Sequence, residues 1–121
     1  MSSLSKDLLV NGSISYTGNT IVQPRALYSG QIIRTTATMT TINATTWDFA
    51  ILTNVLMPSG YTSTSNIVLQ VCEGNYDGTN DIVLSPYIVN NADGTFNAKC
   101  TVFGITSGQQ TTLNYVVYLM V

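Results

Sequence analysis

The sequence predicts an all-β chain: an antiparallel β-sandwich of jelly-roll type, with about six to eight strands and a short N-terminal arm. Three observations carry this expectation. Apolar and polar residues alternate with a period of two along most of the 121 residues, whereas convincing helical periodicity is scarce. Clusters of Gly, Pro, Asn and Asp interrupt the pattern about every ten residues, the spacing of short strands joined by tight turns. The longest uninterrupted stretch is rich in Thr and Ile, whose branched side chains suit a pleated surface.

In chain order, residues 1–23 read as an arm and 24–121 as the head. Within the arm, residues 8–22 (LLVNGSISYTGNTIV) alternate weakly among small turn residues, and Pro24 marks their end. From Ala26 to Ile42 (ALYSGQIIRTTATMTTI) the pattern is that of one long β-prone stretch, closed by a turn at Asn43-Ala44-Thr45. Residues 47–57 (WDFAILTNVLM) fit two structures. Trp47, Phe49, Ile51 and Thr53 alternate as in a strand, while Thr45 and Asp48 could open a short helix that Pro58 would stop. The β character of the surroundings favours the strand. Pro58-Ser59-Gly60 is a turn, 66–73 (NIVLQVCE) a strand, and 74–81 (GNYDGTND) a polar loop. In the next strand, 82–90, Pro86 cannot donate to a ladder and demands an edge or a bulge. Asp93-Gly94 signals a hairpin turn. The return strand, 95–103, sends Ala98, Cys100 and Val102 one way and Asn97, Lys99 and Thr101 the other. GITSGQQT is a loop, and residues 113–121 form the last strand.

That last strand bears most directly on function. Leu113, Tyr115, Val117, Leu119 and Val121 share one face; Val116, Tyr118 and Met120 share the other, where only Asn114 is polar. A strand with one wet face should be polar on that side. This one is apolar on both, as expected if one face packs within the protomer and the other against a sister chain; a central strand of a thick monomeric sandwich is the alternative. Residues 113 and 115–121 are therefore the candidate oligomer interface.

Composition narrows the function classes. Charged residues make up 8% of the chain, against roughly 25% in ordinary soluble proteins. Thr, Ser and Asn must then supply much of the solubility, or another subunit must cover part of the surface. The net charge is −2, and Lys6, Arg25, Arg34 and Lys99 are scattered, so no basic patch grips phosphates. No apolar run reaches the ~18 residues of a membrane helix. The N-terminus lacks the apolar core of a secretion signal, so synthesis in the cytoplasm is expected.

Histidine is absent, which removes the commonest general base and metal ligand. No nucleophile–base pair is evident, so no enzyme, cofactor or metal is expected. Cys72 and Cys100 read as two free, buried thiols. Trp47, the only tryptophan, reads as packing. Asn11-Gly12-Ser13 and Asn43-Ala44-Thr45 match glycosylation sequons but serve as turn residues without a secretory route. The 74–81 loop holds the candidate ligand site. Asn75, Tyr76, Asp77, Asn80 and Asp81 combine an aromatic ring with amides and carboxylates, the groups a saccharide needs, although turn formation alone accounts for them more readily. Calcium is a weaker reading of the same oxygens, since an EF-hand's flanking helix and closing glutamate are missing.

The arm segment LLVNGSISYTGNTI resembles the short Val-Asn-Gly-Ser-Ile repeats of bacteriophage tail-fibre shafts. The rest of the chain, with its Thr, Ser, Asn and Gly excess, low charge and apolar last strand, is similar to the compact β heads of phage receptor-binding proteins. The resemblance implies a homotrimer located in the virion, with the arm bound to other virion proteins and the head meeting a host-surface saccharide. It also admits a second role, a capsid-decorating or head-fibre protein without a ligand. No binding residue carries over from it.

Overall fold

A computed structural model describes residues 13–16, 19–22, 25–76 and 81–120. The chain is all-β. Strands β1 (Ser13–Tyr16) and β2 (Asn19–Val22) pair with each other as a two-stranded sheet. Seven longer or better embedded strands follow: β3 (Arg25–Thr35), β4 (Thr40–Asn43), β5 (Thr46–Leu56), β6 (Ile67–Tyr76), β7 (Val83–Asn90), β8 (Thr95–Phe103) and β9 (Gln110–Leu119). They build two antiparallel sheets that pack face to face, one ordered β3-β9-β6 and the other β4-β5-β8-β7. The chain passes back and forth between the sheets, and β3 pairs with β9, the winding of a jelly roll.

Alternation makes the core. β8 sends Phe96, Ala98, Cys100 and Val102 inward, all fully buried, and leaves Asn97, Lys99 and Thr101 outside. Opposite β8, β5 contributes Trp47, Phe49 and Ile51, so this ambiguous segment is a strand. The second sheet adds Ile67 and Leu69 from β6 and Leu113, Val117 and Leu119 from β9. Each such side chain contributes about 1.5–3 kcal/mol on leaving water. Pro86 lies in β7, an edge strand, where its missing N–H costs no ladder bond. The 91–94 turn forms through Ala92 and Gly94 at positive φ, with Asn91 N–H donating to Thr95 O at 3.1 Å.

Three expectations are corrected. The stretch from Ala26 to Ile42 is not one strand: it breaks at a single helical turn, Thr36–Thr38, and β4 joins the other sheet. Thr36 is buried there, its Oγ1 accepting from Gly108 N–H at 2.7 Å and its N–H donating to Gln109 O at 3.3 Å. The strand 113–121 starts earlier, at Gln110, because buried Thr111 donates its hydroxyl to Asn75 O at 3.2 Å. Finally, Cys72 is exposed rather than buried; only Cys100 is in the core, where burial pushes its thiol up to about 11.

Candidate association face

β9 is the centre of its sheet, so its outward side chains are flanked on both sides. Tyr118 stands between Ala26 of β3 and Val68 of β6; Val116 stands between Ser29 and Gln70; Asn114 stands between Gln31 and Cys72. None of these nine residues is charged. The rungs grade along the sheet. At the Asn114 rung, Gln31 Nε2 donates to Asn114 Oδ1 at 3.0 Å. Toward the Tyr118 rung the face turns apolar, and Val68 and Met120 remain 42% and 39% exposed. A shallow depression lined by Gln70, Cys72, Asn114 and Val116 lies between.

The outer face of the four-stranded sheet is built differently. Asp48 of β5 accepts Tyr87 OH at 2.8 Å, Thr101 Oγ1 at 3.1 Å and Lys99 Nζ at 2.9 Å. Lys99 Nζ also sits over the Tyr87 ring, 5.8 Å from its centre. Partial burial alone would raise the Asp48 pKa, but the donors from Lys99, Tyr87 and Thr101 together outweigh it and hold the carboxyl below its ordinary value. Tyr87 is shifted up by burial and by its bond to Asp48; Lys99 is shifted up by that carboxylate. Nearer the hairpin end, Asn91 Nδ2 donates to Asn97 Oδ1 at 2.9 Å and to Thr95 Oγ1 at 3.0 Å, while Asn97 Oδ1 also takes the Asn54 N–H at 2.8 Å. Asp48 is thus a saturated acceptor within a closed network, which suits a structural role.

The residues singled out from sequence divide as follows. Leu113, Val117 and Leu119 belong to the core of the chain itself, and Tyr115 packs against it. Val116, Tyr118 and Met120 point outward and form the face; Val121 lies outside the described residues. Sequence reasoning missed Ala26 and Val68. The signal for Val68 was in the chain: residues 67–69 (IVL) are apolar on both sides, as β9 is.

In the polar-loop site, Asn75 and Tyr76 prove to be strand residues of β6. Tyr76 is half-buried against the core, its hydroxyl donating to Gln109 Oε1, so the ring is not laid open as a stacking platform. Asp81 is exposed; Asp77 and Asn80 lie outside the described residues. Among the described residues, no three His, Cys, Asp or Glu side chains gather as metal ligands, and no helix is long and apolar enough to cross a membrane.

The fold and face define a jelly-roll sandwich with two unlike outer sheet surfaces: one bonded around Asp48, with Val83 and Phe103 paired and exposed at the end away from the hairpin, and one uncharged and partly apolar across its centre. Comparison with protein-family models, with curated proteins and with solved structures gives no match.

Proposed function

We propose that this chain is a non-enzymatic structural protein that self-associates through the outer face of the β3-β9-β6 sheet, as a homotrimer in a bacteriophage virion. One observation carries the self-association: the Tyr118 rung, with Ala26, Val68 and Met120 around it, is an uncharged apolar surface on a strand already packed on its other side. Contiguous apolar surface of this kind is the mark of an interaction site. A sister copy is the partner of matching character, since the same surface brings no unpaired charge to bury. The phage assignment and the trimer rest on the sequence resemblance.

Two roles fit that class: a fibre tip that binds a host-surface saccharide, and a capsid-decorating or fibre-scaffold protein with no ligand. The position of Tyr76 favours the second, because the expected sugar-stacking ring is packed against the core. Sedimentation of the wild-type chain at micromolar concentration tests the association. A trimer is expected, and a stable monomer refutes the reading. A glycan array probed with the assembled protein separates the two roles: binding selects the fibre tip, and its absence selects the scaffold.

A further inference from the structure

The two sheets present four edge strands, and three carry features that discourage strand addition. β4 has four residues, β7 contains Pro86, and β6 bulges between Glu73 and Asn75 and runs beside β7 where the sheets meet. β3 differs. Beyond a bulge between Ala26 and Tyr28, its register with β9 is unbroken from Tyr28 to Thr35. Its other side pairs with no strand among the described residues. Toward the far end, Arg34 Nη1 donates to the Ile33 carbonyl at 3.0 Å and occupies it. The segment from Tyr28 to Ile32 is therefore an uncharged, regular edge with alternate N–H and C=O groups directed outward.

A second element of the chain lacks a partner. β1 and β2 have four residues each and, among the described residues, pair with nothing but each other. An isolated two-stranded hairpin is marginal in water and gains stability from a third strand. Its length matches the open part of β3. Yet only Gln23 and Pro24 separate Val22 from Arg25. For β2 to fold back on its own β3, that pair would have to form a two-residue hairpin turn. Type I′ needs positive φ at both positions, which Pro24 cannot adopt; type II′ needs it at the first, a glycine's place held by Gln23.

We infer that the β1–β2 hairpin of one copy adds to the open β3 edge of a second copy, extending the β3-β9-β6 sheet across the subunit boundary. The inference rests on the self-association reading and names the segment that each copy gives to the next. Because donor and acceptor are different surfaces, the contact is head-to-tail and closes into a ring when the rotation between copies permits.

Hydrogen exchange of β3 amides in the full-length chain, compared with I14P and I21P, tests this. These two positions are cross-strand partners in the hairpin, so either proline breaks its ladder. In the assembled wild type, outward β3 amides between Tyr28 and Ile32 should exchange at least about tenfold more slowly than in either variant, and the variants should associate at least about tenfold more weakly. Equal exchange in wild type and variants overturns the inference while leaving face-mediated association intact. So does protection that persists in monomer at high dilution, which would place the pairing within one chain. A wild-type chain that never associates overturns both proposals. An unchanged melting temperature of I14P and I21P at a dilution where wild type is also monomeric confirms that the sandwich has folded and that the exchange difference is local.

Discussion

The two outer sheet surfaces are made from strands of similar length and the same alternation, yet they meet water in different ways. On the β4-β5-β8-β7 surface, polar side chains satisfy one another: Asp48 gathers Lys99, Tyr87 and Thr101, and three asparagines interlock near the hairpin. On the β3-β9-β6 surface Gln31 bonds Asn114 across one rung, and the Tyr118 rung offers nothing to hydrogen-bond but one phenol. The first surface centres on its own bonds and exposes an apolar pair, Val83 beside Phe103, only at the end away from the hairpin. The second carries its open apolar rung on the central strand, and the two lie on opposite sides of the sandwich.

Substitutions should break this contrast by amounts that descend with distance from the shared interior. Phe96→Ala empties a fully buried site beneath both sheets and should cost about 3–5 kcal/mol, seen as a large fall in melting temperature. Asp48→Ala leaves Lys99, Tyr87 and Thr101 without their common acceptor, and a loss of about 1–2 kcal/mol is expected in denaturant unfolding, with no change in mass. The network also predicts a pH dependence. Since the folded Asp48 pKa is depressed, its contribution is present above the unfolded carboxylate value near ~3.9 and is lost as the pH falls through the folded value. Wild type should therefore lose stability below about pH 4 more steeply than Asp48→Asn, a difference visible in acid melting curves.

On the other surface the signs separate. Tyr118→Lys should move the melting temperature of the monomer by less than the equivalent of about 0.5 kcal/mol, but should shift sedimentation toward monomer. An assembly indifferent to this charge would remove the distinction between the faces. The gentlest probe is alkylation. Cys72, exposed beside the Asn114 rung, should react when the protein is dilute and slow on assembly, while Cys100 stays unreactive until unfolding.

Much of the fold was legible because period-two alternation reports a strand's two environments directly. β8 is the clearest case: Phe96, Ala98, Cys100 and Val102 against Asn97, Lys99 and Thr101. Pro86 marked an edge, and the double apolar character of β9 marked an outward face with few polar groups. What escaped was set by tertiary contacts with no local signature. The turn at Thr36–Thr38 lies in a run of threonines, so nothing in residue type distinguishes its buried Thr36 from strand neighbours. Tyr76 sits beside Gly74 and Asn75 and reads as loop, but Gln109 and the core draw it into β6. Cys72 looked like a core thiol until the register placed it opposite Asn114 on the outer face. For the candidate site, sequence supplied Val116, Tyr118 and Met120; the flanking Ala26 and Val68 needed the strand order.

That strand order has a consequence for how the chain matures. β3 and β6 never touch each other's ladders; each bonds only to β9, the last of the described strands to leave the ribosome. Gln31 must wait for a partner 83 positions downstream. Until β9 arrives, half of the sandwich has no sheet to belong to, so nascent chains remain unassembled through most of synthesis, and folding is governed by slow, long-range closure. A translation product stopped before residue 110 would lack the strand on which one whole layer is organised.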